Sequence, residues 1–205
     1  KFLIVSNHPM GAADAIALYH TIYPARNDLF FFANELFVYL LGAFHDLLAP
    51  VMWSKEKETH SANKVTLERL SVFFGDGRPG IIFPSGRLSR LTFFGLWDRP
   101  WEKTPIALAK KYNFPLIPVY VEGRNSWFFY FASYVNKQLR DVSQLNELFN
   151  KRDKNISIKI GKPVSVSSLS DNSDIAINQL RYKSESLRKK ALLKLNRFIY
   201  LRNLR

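Results

Sequence analysis

The first residues of the chain combine side chains that can move a proton. His8 follows the apolar run from Phe2 to Val5, and Asp14 stands six residues later, beyond a proline and a glycine that turn the chain. An imidazole with one nitrogen held by a carboxylate can take a proton from a hydroxyl with the other. The spacing therefore predicts that His8 is a general base oriented by Asp14. The alternative is a hydrogen-bonded structural histidine at a strand end.

A second candidate segment is a turn that is followed by two arginines. The apolar strand from Ile81 to Phe83 runs into a Pro-Ser-Gly turn. Exposed backbone N–H groups and fixed positive charge suit a phosphate or a carboxylate. The alternative is an ordinary turn with solvated arginines. The substrate-binding residues predicted here are Ser85, Gly86, Arg87, Ser89 and Arg90.

The third candidate segment is a polar cluster that follows the buried-type strand from Phe114 to Val121. In open α/β sheets, ligands sit at the carboxyl ends of the strands. The alternative is a helix N-cap at Asn125 or Ser126, and a cap and a site can share residues. The cluster predicts a further group of substrate-binding residues, namely Glu122, Gly123, Arg124, Asn125 and Ser126.

The elements that must position these segments alternate along the chain. This alternation predicts an α/β fold, a single domain with a mixed, largely parallel central sheet flanked by helices. No apolar segment qualifies as a membrane span, because polar residues interrupt the long run from Leu29 to Trp53. Strands are predicted near 2–6, 28–33, 50–53, 79–83, 115–121 and 155–161, and helices near 13–23, 35–48, 61–74 and 103–112.

Composition limits the partners and the cofactors. The chain carries a net charge of +13 and has no cysteine, so it has neither disulfides nor thiolate metal ligands. We predict no metal and no cofactor, and the lack of cysteine fits a reducing compartment.

Nine basic residues and one acid lie between Arg181 and Arg205, with apolar residues at helical spacing. This pattern predicts a helix that binds an anionic membrane surface, with a helix packed on the domain as the alternative.

The aromatic run from Trp127 to Phe131 has three possible roles. It can line a pocket for an acyl chain, dip into a bilayer interface, or belong to the core.

Taken together, the three segments resemble one family, the glycerolipid acyltransferases of phospholipid synthesis. These enzymes carry a His-Asp motif, a Phe-Pro-x-Gly motif and a Pro-x-x-Pro-Val strand in the order seen here. The form Asn7-His-Pro-x-Gly-x-x-Asp14, one residue longer than the superfamily's usual spacing, is similar to the hemolysin-like branch, which includes O-acyltransferases of ornithine-type aminolipids. Also similar to the branch are Gly95 to Trp101, Leu108 to Lys110, and Ile160 to Pro163.

The resemblance implies a function. It implies a peripheral O-acyltransferase at the cytoplasmic face of a membrane, with an acyltransferase domain over residues 1–165 and a Ser-rich loop and basic helix over 166–205 in the same domain. The acyl donor would be a thioester of acyl carrier protein or coenzyme A, and the acceptor a lysophospholipid or lyso-aminolipid. The site implied would use His8 and Asp14 as catalytic residues, with Asn7, Pro9 and Gly11 beside the substrate. Ser85 and Arg87 replace residues that are usual in the Phe-Pro-x-Gly motif.

Two other classes of protein compete with this interpretation. A serine hydrolase could use Ser85 with His8 and Asp14, although the chain lacks Gly-x-Ser-x-Gly. A nonenzymatic basic module could bind membrane or nucleic acid through charge alone. We predict no nucleic-acid partner, because charge alone does not explain why His8, Asp14 and the Pro-Ser-Gly turn fall at strand ends.

Overall fold

The computed structural model describes residues 1–34, 42–51, 60–93 and 95–188. Within these ranges the strands are β1 (Leu3–Ser6), β2 (Phe30–Asn34), β3 (Leu48–Val51), β4 (Gly80–Ile82), β5 (Arg90–Thr92), β6 (Gly95–Trp97), β7 (Leu116–Glu122) and β8 (Ser157–Ile160). The α-helices are α1 (Ala12–Ile22), α2 (His60–Gly75), α3 (Thr104–Tyr112), α4 (Trp127–Val135), α5 (Lys137–Asn150) and α6 (Ser173–Glu185). Short 3₁₀ helices span Gly42–Leu47 and Val166–Ser168.

Six of the strands form one sheet in the order β3-β2-β4-β1-β7-β8. All neighbours in this sheet are parallel except β7 and β8, which pair antiparallel at one edge. Strands β5 and β6 form a separate antiparallel hairpin. The prediction of a single α/β domain with a mixed, largely parallel sheet is confirmed.

Both faces of the sheet are buried, which explains why its central strands are apolar at almost every position. Leu3 and Val5 belong to one cluster of buried side chains, and Ile4 belongs to another. Because successive side chains of a strand point to opposite faces, these two clusters lie on the two sides of β1. Helix α6 contributes Leu180 to the first cluster, and α1 contributes Leu18 to the second.

The topology brings the three predicted segments together at the carboxyl ends of the parallel strands. Strand β1 lies between β4 and β7 and is parallel to both. Val5 pairs with Ile82, and Ser6 pairs with Val119. The loops that follow β1, β4 and β7 therefore leave the sheet at the same end, where ligands of open α/β sheets bind.

The predicted helix over 35–48 differs from what the structure describes. Residues 35–41 lie outside the described residues, and Gly42–Leu47 form a 3₁₀ helix. Leu48 already belongs to β3, where it pairs with Phe31, so the helical segment ends before it. Phe44 of this 3₁₀ helix is exposed.

The C-terminal part of the described chain packs on the sheet. Helix α6 begins at the cap Asn172, whose side-chain oxygen accepts from the N–H of Asp174. Of the basic helix predicted over Arg181 to Arg205, the first five residues are the last turn of α6, and residues 189–205 lie outside the described part. Arg181 donates to the carbonyl of Asp98 at 3.0 Å and forms an ion pair with Glu185 at 2.8 Å, so its side chain is directed toward the protein. The predicted boundary at residue 165 remains a prediction.

None of the helices in the described ranges combines the length and the apolar composition that a bilayer crossing requires.

Candidate active site

His8, in the loop between β1 and α1, lies beside Asp14 in the first turn of α1. Nδ1 of His8 is 3.0 Å from Oδ2 of Asp14, whose side chain is fully buried. This nitrogen is also buried, whereas the His8 side chain as a whole keeps 18% of its surface exposed. The nitrogen that remains for a substrate is therefore Nε2, as general-base chemistry requires.

The loop itself holds the carboxylate of Asp14. Oδ2 accepts from the backbone N–H groups of Met10 at 2.8 Å and Gly11 at 3.0 Å. Gly11 has a φ of 79°, a conformation that glycine adopts without steric cost, and this turn points both N–H groups at the carboxylate. Burial raises the pKa of Asp14, while His8 and the two N–H groups act in the opposite direction. Since Oδ2 faces Nδ1, the tautomer with its proton on Nδ1 and its lone pair on Nε2 is favoured.

The end of β4 supplies a flat surface for the imidazole. The rings of His8 and Phe83 stack with their centroids 4.0 Å apart and their planes inclined by 22°. Phe83 follows β4 directly and is buried. The residue that follows a neighbouring strand therefore restricts the plane of the His8 ring.

Asp98 ties three parts of the site together. Its Oδ1 accepts from the N–H of His8 at 3.1 Å, and its Oδ2 accepts from Nε1 of Trp101 at 2.9 Å. The hydroxyl of Ser89 also donates to Asp98, while the N–H of Ser89 donates to the carbonyl of His8 at 2.8 Å. The carboxylate of Asp98, which lies outside the loop that carries His8, thus fixes the backbone of His8.

Asn7 joins β1 to the end of β7. Its Nδ2 donates to the carbonyl of Val121 at 2.8 Å, and its Oδ1 accepts from the N–H of Val121 at 2.7 Å. Asn7 is buried, so this pair of bonds acts as one more rung between two parallel strands. Asn7 thus braces the end of β1 just before His8, and its contact with substrate stays a prediction.

The Pro-Ser-Gly turn lies beside the histidine loop. The hydroxyl of Ser85 donates to the carbonyl of Arg87 at 2.8 Å, within the turn. Gly86 has a φ of 59°, and its N–H donates to the carbonyl of Phe83 at 3.0 Å. Leu88 reaches back to the histidine loop, where a Cβ on Gly11 would lie 3.1 Å from its Cδ2. Ser85 and Ser89 are both buried and hold the turn together.

Positive charge converges next to this turn. We call Arg87, Arg90, Arg99 and Arg140 the arginine cluster. Burial and the charges of the other three members lower the pKa of the Arg99 guanidinium. Nε of Arg99 is buried and has no hydrogen-bond partner within the described ranges. Converging cations with an unpaired buried donor favour a bound anion, which arginines hold through charge-assisted bonds.

The polar cluster after β7 has several roles. A Cβ on Gly123 would collide with the side chain of Met10, so glycine is needed where β7 meets the histidine loop. Both amide atoms of Asn125 are buried without a partner among the residues that the structure describes. Ser126 caps α4 by accepting from the N–H of Phe129 at 3.2 Å, which confirms the predicted N-cap. Arg124 is exposed with its guanidinium 5.9 Å from the Trp127 ring, and Glu122 forms an ion pair with Lys159 at 3.3 Å.

Sequence reasoning missed three contributors to the site. Asp98 and Arg99 stand in the segment Gly95 to Trp101, where only the resemblance drew attention to them. Arg140 lies on α5, a helix that was not predicted at all. A carboxylate followed by Arg-Pro and then tryptophan was the available signal for Asp98, since such a side chain pairs when it is buried.

Comparison with known proteins places the chain among acyltransferases. A family model described as acyltransferase matches residues 1–199. A lyso-glycine lipid O-acyltransferase of Phocaeicola vulgatus is 30% identical over 171 residues, which is 80% of this chain and 59% of that protein. A protein of the same name from Bacteroides thetaiotaomicron is 30% identical over 172 residues, covering 80% of this chain and 60% of its own length.

The chain thus spans about three fifths of the length of the curated relatives that it matches. The family match over 1–199 includes all the predicted site residues, and the relatives bear out the expected lipid acyltransferase superfamily. On these grounds the chain belongs to the acyltransferase family.

Proposed function

We propose that this chain transfers a fatty acyl group from a thioester to the hydroxyl of a lyso-lipid. The observation that carries the proposal is the pair of His8 and the fully buried Asp14, 3.0 Å apart at the carboxyl end of β1. Because a fully buried carboxylate cannot contact a substrate itself, its role is to orient the imidazole and to stabilise the positive charge of the imidazolium. The names of the two relatives, both lyso-glycine lipid O-acyltransferases, support the same reaction.

The chemistry needs no covalent enzyme intermediate. Nε2 of His8 takes the proton of the acceptor hydroxyl as the oxygen attacks the thioester carbonyl. The tetrahedral intermediate collapses with cleavage of the carbon–sulfur bond, and the thiolate of the carrier receives the proton from the imidazolium. Asp14 stabilises the positive charge that His8 holds between these two events. The products are the acylated lipid and the free thiol of acyl carrier protein or coenzyme A, and the step uses no cofactor.

The arginine cluster is the proposed site for the acidic group of the acceptor. Arg87 and Arg90 follow the turn that lies against the histidine loop, and Arg99 adds a buried donor without a partner in the described structure. An anionic head group bound there would bring its own hydroxyl toward Nε2. Of the two acceptor classes expected, the names of the relatives favour a lyso-aminolipid over a lysophospholipid.

A serine hydrolase fits the site less well. The hydroxyl of Ser85 donates to the carbonyl of Arg87, which directs its proton into the turn and away from His8. A nucleophilic serine has to donate to the histidine that activates it. Ser85→Ala should therefore retain acyl transfer, and no acyl-serine adduct should accumulate.

The proposed working place is the cytoplasmic face of an anionic membrane. The net charge of +13 supports such a surface, because each basic residue near an anionic leaflet contributes about 1 kcal/mol. A lyso-lipid with a long chain also resides in membranes, so an enzyme that acts on it has to work at their surface.

The function is tested with the purified chain and defined lipids. Acyl carrier protein or coenzyme A carrying a fatty acyl group is mixed with a lyso-glycine lipid or with lysophosphatidic acid, and the products are identified by mass spectrometry. We expect a diacylated product that His8→Ala reduces by about 10²–10⁴-fold. Wild-type turnover in His8→Ala would contradict the mechanism, and hydrolysis of donor or lipid without transfer would contradict the reaction.

A further inference from the structure

An exposed apolar face runs along helix α4. Its side chains Trp127, Phe128, Phe131, Tyr134 and Val135 are between 57% and 92% exposed. Their spacing of one, four, seven and eight residues places them on one side of the helix. Of the aromatic run from Trp127 to Phe131, Phe129 is buried and Tyr130 is half-buried, whereas the other three side chains lie outside the core.

Helix α5 continues this face. Leu139, Val142 and Phe149 recur on one side of it and are each more than half exposed. Helices α4 and α5 pack against each other, with only Asn136 between them. We call the exposed apolar side chains of both helices the hairpin face.

The hairpin face is exposed on an element that is firmly anchored on its other side. Glu147 of α5 is buried and accepts from the N–H of Ser126 at 2.9 Å and from Nζ of Lys151 at 2.8 Å. Asn136 caps α5 by accepting from the N–H of Gln138 at 2.7 Å. Phe129 and Ala132 bury the opposite side of α4. The apolar residues are thus presented outward by a folded pair of helices.

The same helix pair borders the catalytic loop. Gln144 of α5 lies directly on Gly11, where an added Cβ would come within 2.5 Å of its Nε2. At the start of α4, the hydroxyl of Tyr130 accepts from the N–H of Asn125 at 3.1 Å. The hairpin face therefore lies on an element that contacts both the histidine loop and the polar cluster after β7.

The charges along the hairpin are complementary to an anionic surface. Residues 124–154 contain six basic and three acidic residues, and one of the acids is the buried Glu147. Arg124 lies over the ring of Trp127, and Arg140 belongs to the arginine cluster. Helices that lie in a membrane interface typically combine exposed Trp, Phe and Tyr with neighbouring basic residues.

We propose that the hairpin face docks the protein on an anionic lipid bilayer and inserts its aromatic side chains at the level of the head groups. The histidine loop and the arginine cluster then face the membrane surface, so a lyso-lipid can reach His8 without leaving the bilayer. Docking is a property of the surface and needs no catalysis, and only the delivery of substrate rests on the proposed function.

The test measures binding of the full chain to vesicles. Phe131→Ser/Val135→Ser removes two residues of the hairpin face, and Val72→Ser/Ile175→Ser removes two residues of similar exposure, 59% and 51%, from α2 and α6. Vesicles of phosphatidylcholine with phosphatidylglycerol are compared with phosphatidylcholine alone, by co-sedimentation. We expect the hairpin variant to bind the anionic vesicles at least about ten-fold more weakly, because burying one such side chain supplies that much affinity. The control variant should stay within about two-fold of the wild type.

Two outcomes would overturn the proposal. One is equal vesicle binding by both variants, with circular dichroism showing that both are folded. The other is a wild-type dimer that the hairpin variant converts to monomer, measured by sedimentation velocity, which would make a second copy the occupant of the face.

Acyl transfer to detergent-dispersed lyso-lipid separates docking from function. If the hairpin variant loses vesicle binding but keeps this activity, both proposals are supported. If the wild type binds vesicles but acylates no lyso-lipid, the proposed function is wrong and the docking surface stands.

Discussion

The N–H of His8 donates to Oδ1 of Asp98 at 3.1 Å, a bond between residues 90 positions apart in the chain. Asp98 is no part of the histidine loop, and it never touches the imidazole through any bond that the structure describes. Asp98 binds the backbone of His8. Through its bonds to Ser89 and Trp101, it also connects this backbone to the segment after the Pro-Ser-Gly turn and to the segment before α3. The position of His8 is thus set by two carboxylates, Asp14 from the side of the ring and Asp98 from the side of the backbone.

Asp98 is therefore predicted to be a positioning residue. Asp98→Asn replaces one acceptor oxygen by a donor, which leaves either His8 or Trp101 facing a group that cannot accept. We expect the free energy of unfolding to fall by about 1–3 kcal/mol, and kcat to fall by at least about ten-fold while KM for the donor stays unchanged. Steady-state kinetics and urea unfolding check this. Trp101→Phe is the control, since it removes one donor and leaves the bond to His8; a loss of kcat as large as that of Asp98→Asn would contradict the assignment.

Asp14→Asn should separate activity from stability. The raised pKa of Asp14 means that folding favours its neutral form. That contribution to stability is complete at low pH and is lost as the pH rises through the raised pKa. At neutral pH the uncharged amide should therefore unfold at a denaturant concentration no lower than the wild type does, while kcat falls by about 10²–10⁴-fold because the imidazolium loses its counter-charge. Denaturation of both proteins at pH 7 and pH 5 checks the sign of the stability difference between Asp14→Asn and the wild type. A marked loss of stability in Asp14→Asn at pH 7 would show that the carboxylate is needed for folding.

Arg99 is predicted to bind the anionic group of the acceptor. Arg99→Gln should raise KM for an acceptor with a free carboxylate or phosphate by about ten-fold or more, since a hydrogen bond to a charged group contributes roughly 1.5–3 kcal/mol. The same acceptor with its acid esterified should show little change, and Lys111→Gln on α3 is the control for loss of surface charge. Equal effects on the free and esterified acceptors would contradict the role.

The sequence allowed the prediction of those parts of the site that local patterns specify. Strands β1, β4 and β7 are apolar runs that end in turns, so their carboxyl ends and the residues that follow, such as His8 and Ser85, could be located. Asp98 could not be predicted, because its role depends on a contact with a distant part of the chain. Arg99 could not be predicted, because its role depends on other arginines that only the fold brings close to it. The sequence left the role of the aromatic run in α4 open for a different reason: aromatic residues usually mark a core, and here Trp127, Phe128 and Phe131 lie on the outside.

Gly11 offers a test of how closely helix α5 packs on the catalytic loop. Gly11 and Gly77 both have a positive φ, 79° and 76°. A Cβ on Gly11 would come within 2.5 Å of Nε2 of Gln144, whereas a Cβ on Gly77 would meet nothing within 4 Å. Gly77→Ala therefore reports the cost of a positive φ without a new contact, about 1–3 kcal/mol. Gly11→Ala should cost more, because the amide end of Gln144 and Cδ2 of Leu88 also have to move away from the new methyl group, and kcat should fall as far as the loop that holds Asp14 shifts with them.

The excess cost of Gly11→Ala can be assigned to Gln144 by a double-mutant cycle. Gln144→Ala removes the nearer of the two side chains that the new methyl group meets, so Gly11→Ala/Gln144→Ala should recover part of the stability that Gly11→Ala loses. It should also recover part of kcat, because relief of the collision lets the N–H groups of Met10 and Gly11 return toward Asp14. Unfolding free energies and kcat are measured for all four variants. If the effects of Gly11→Ala and Gln144→Ala simply add, α5 does not press on the histidine loop, and the loss comes from the backbone of the loop alone.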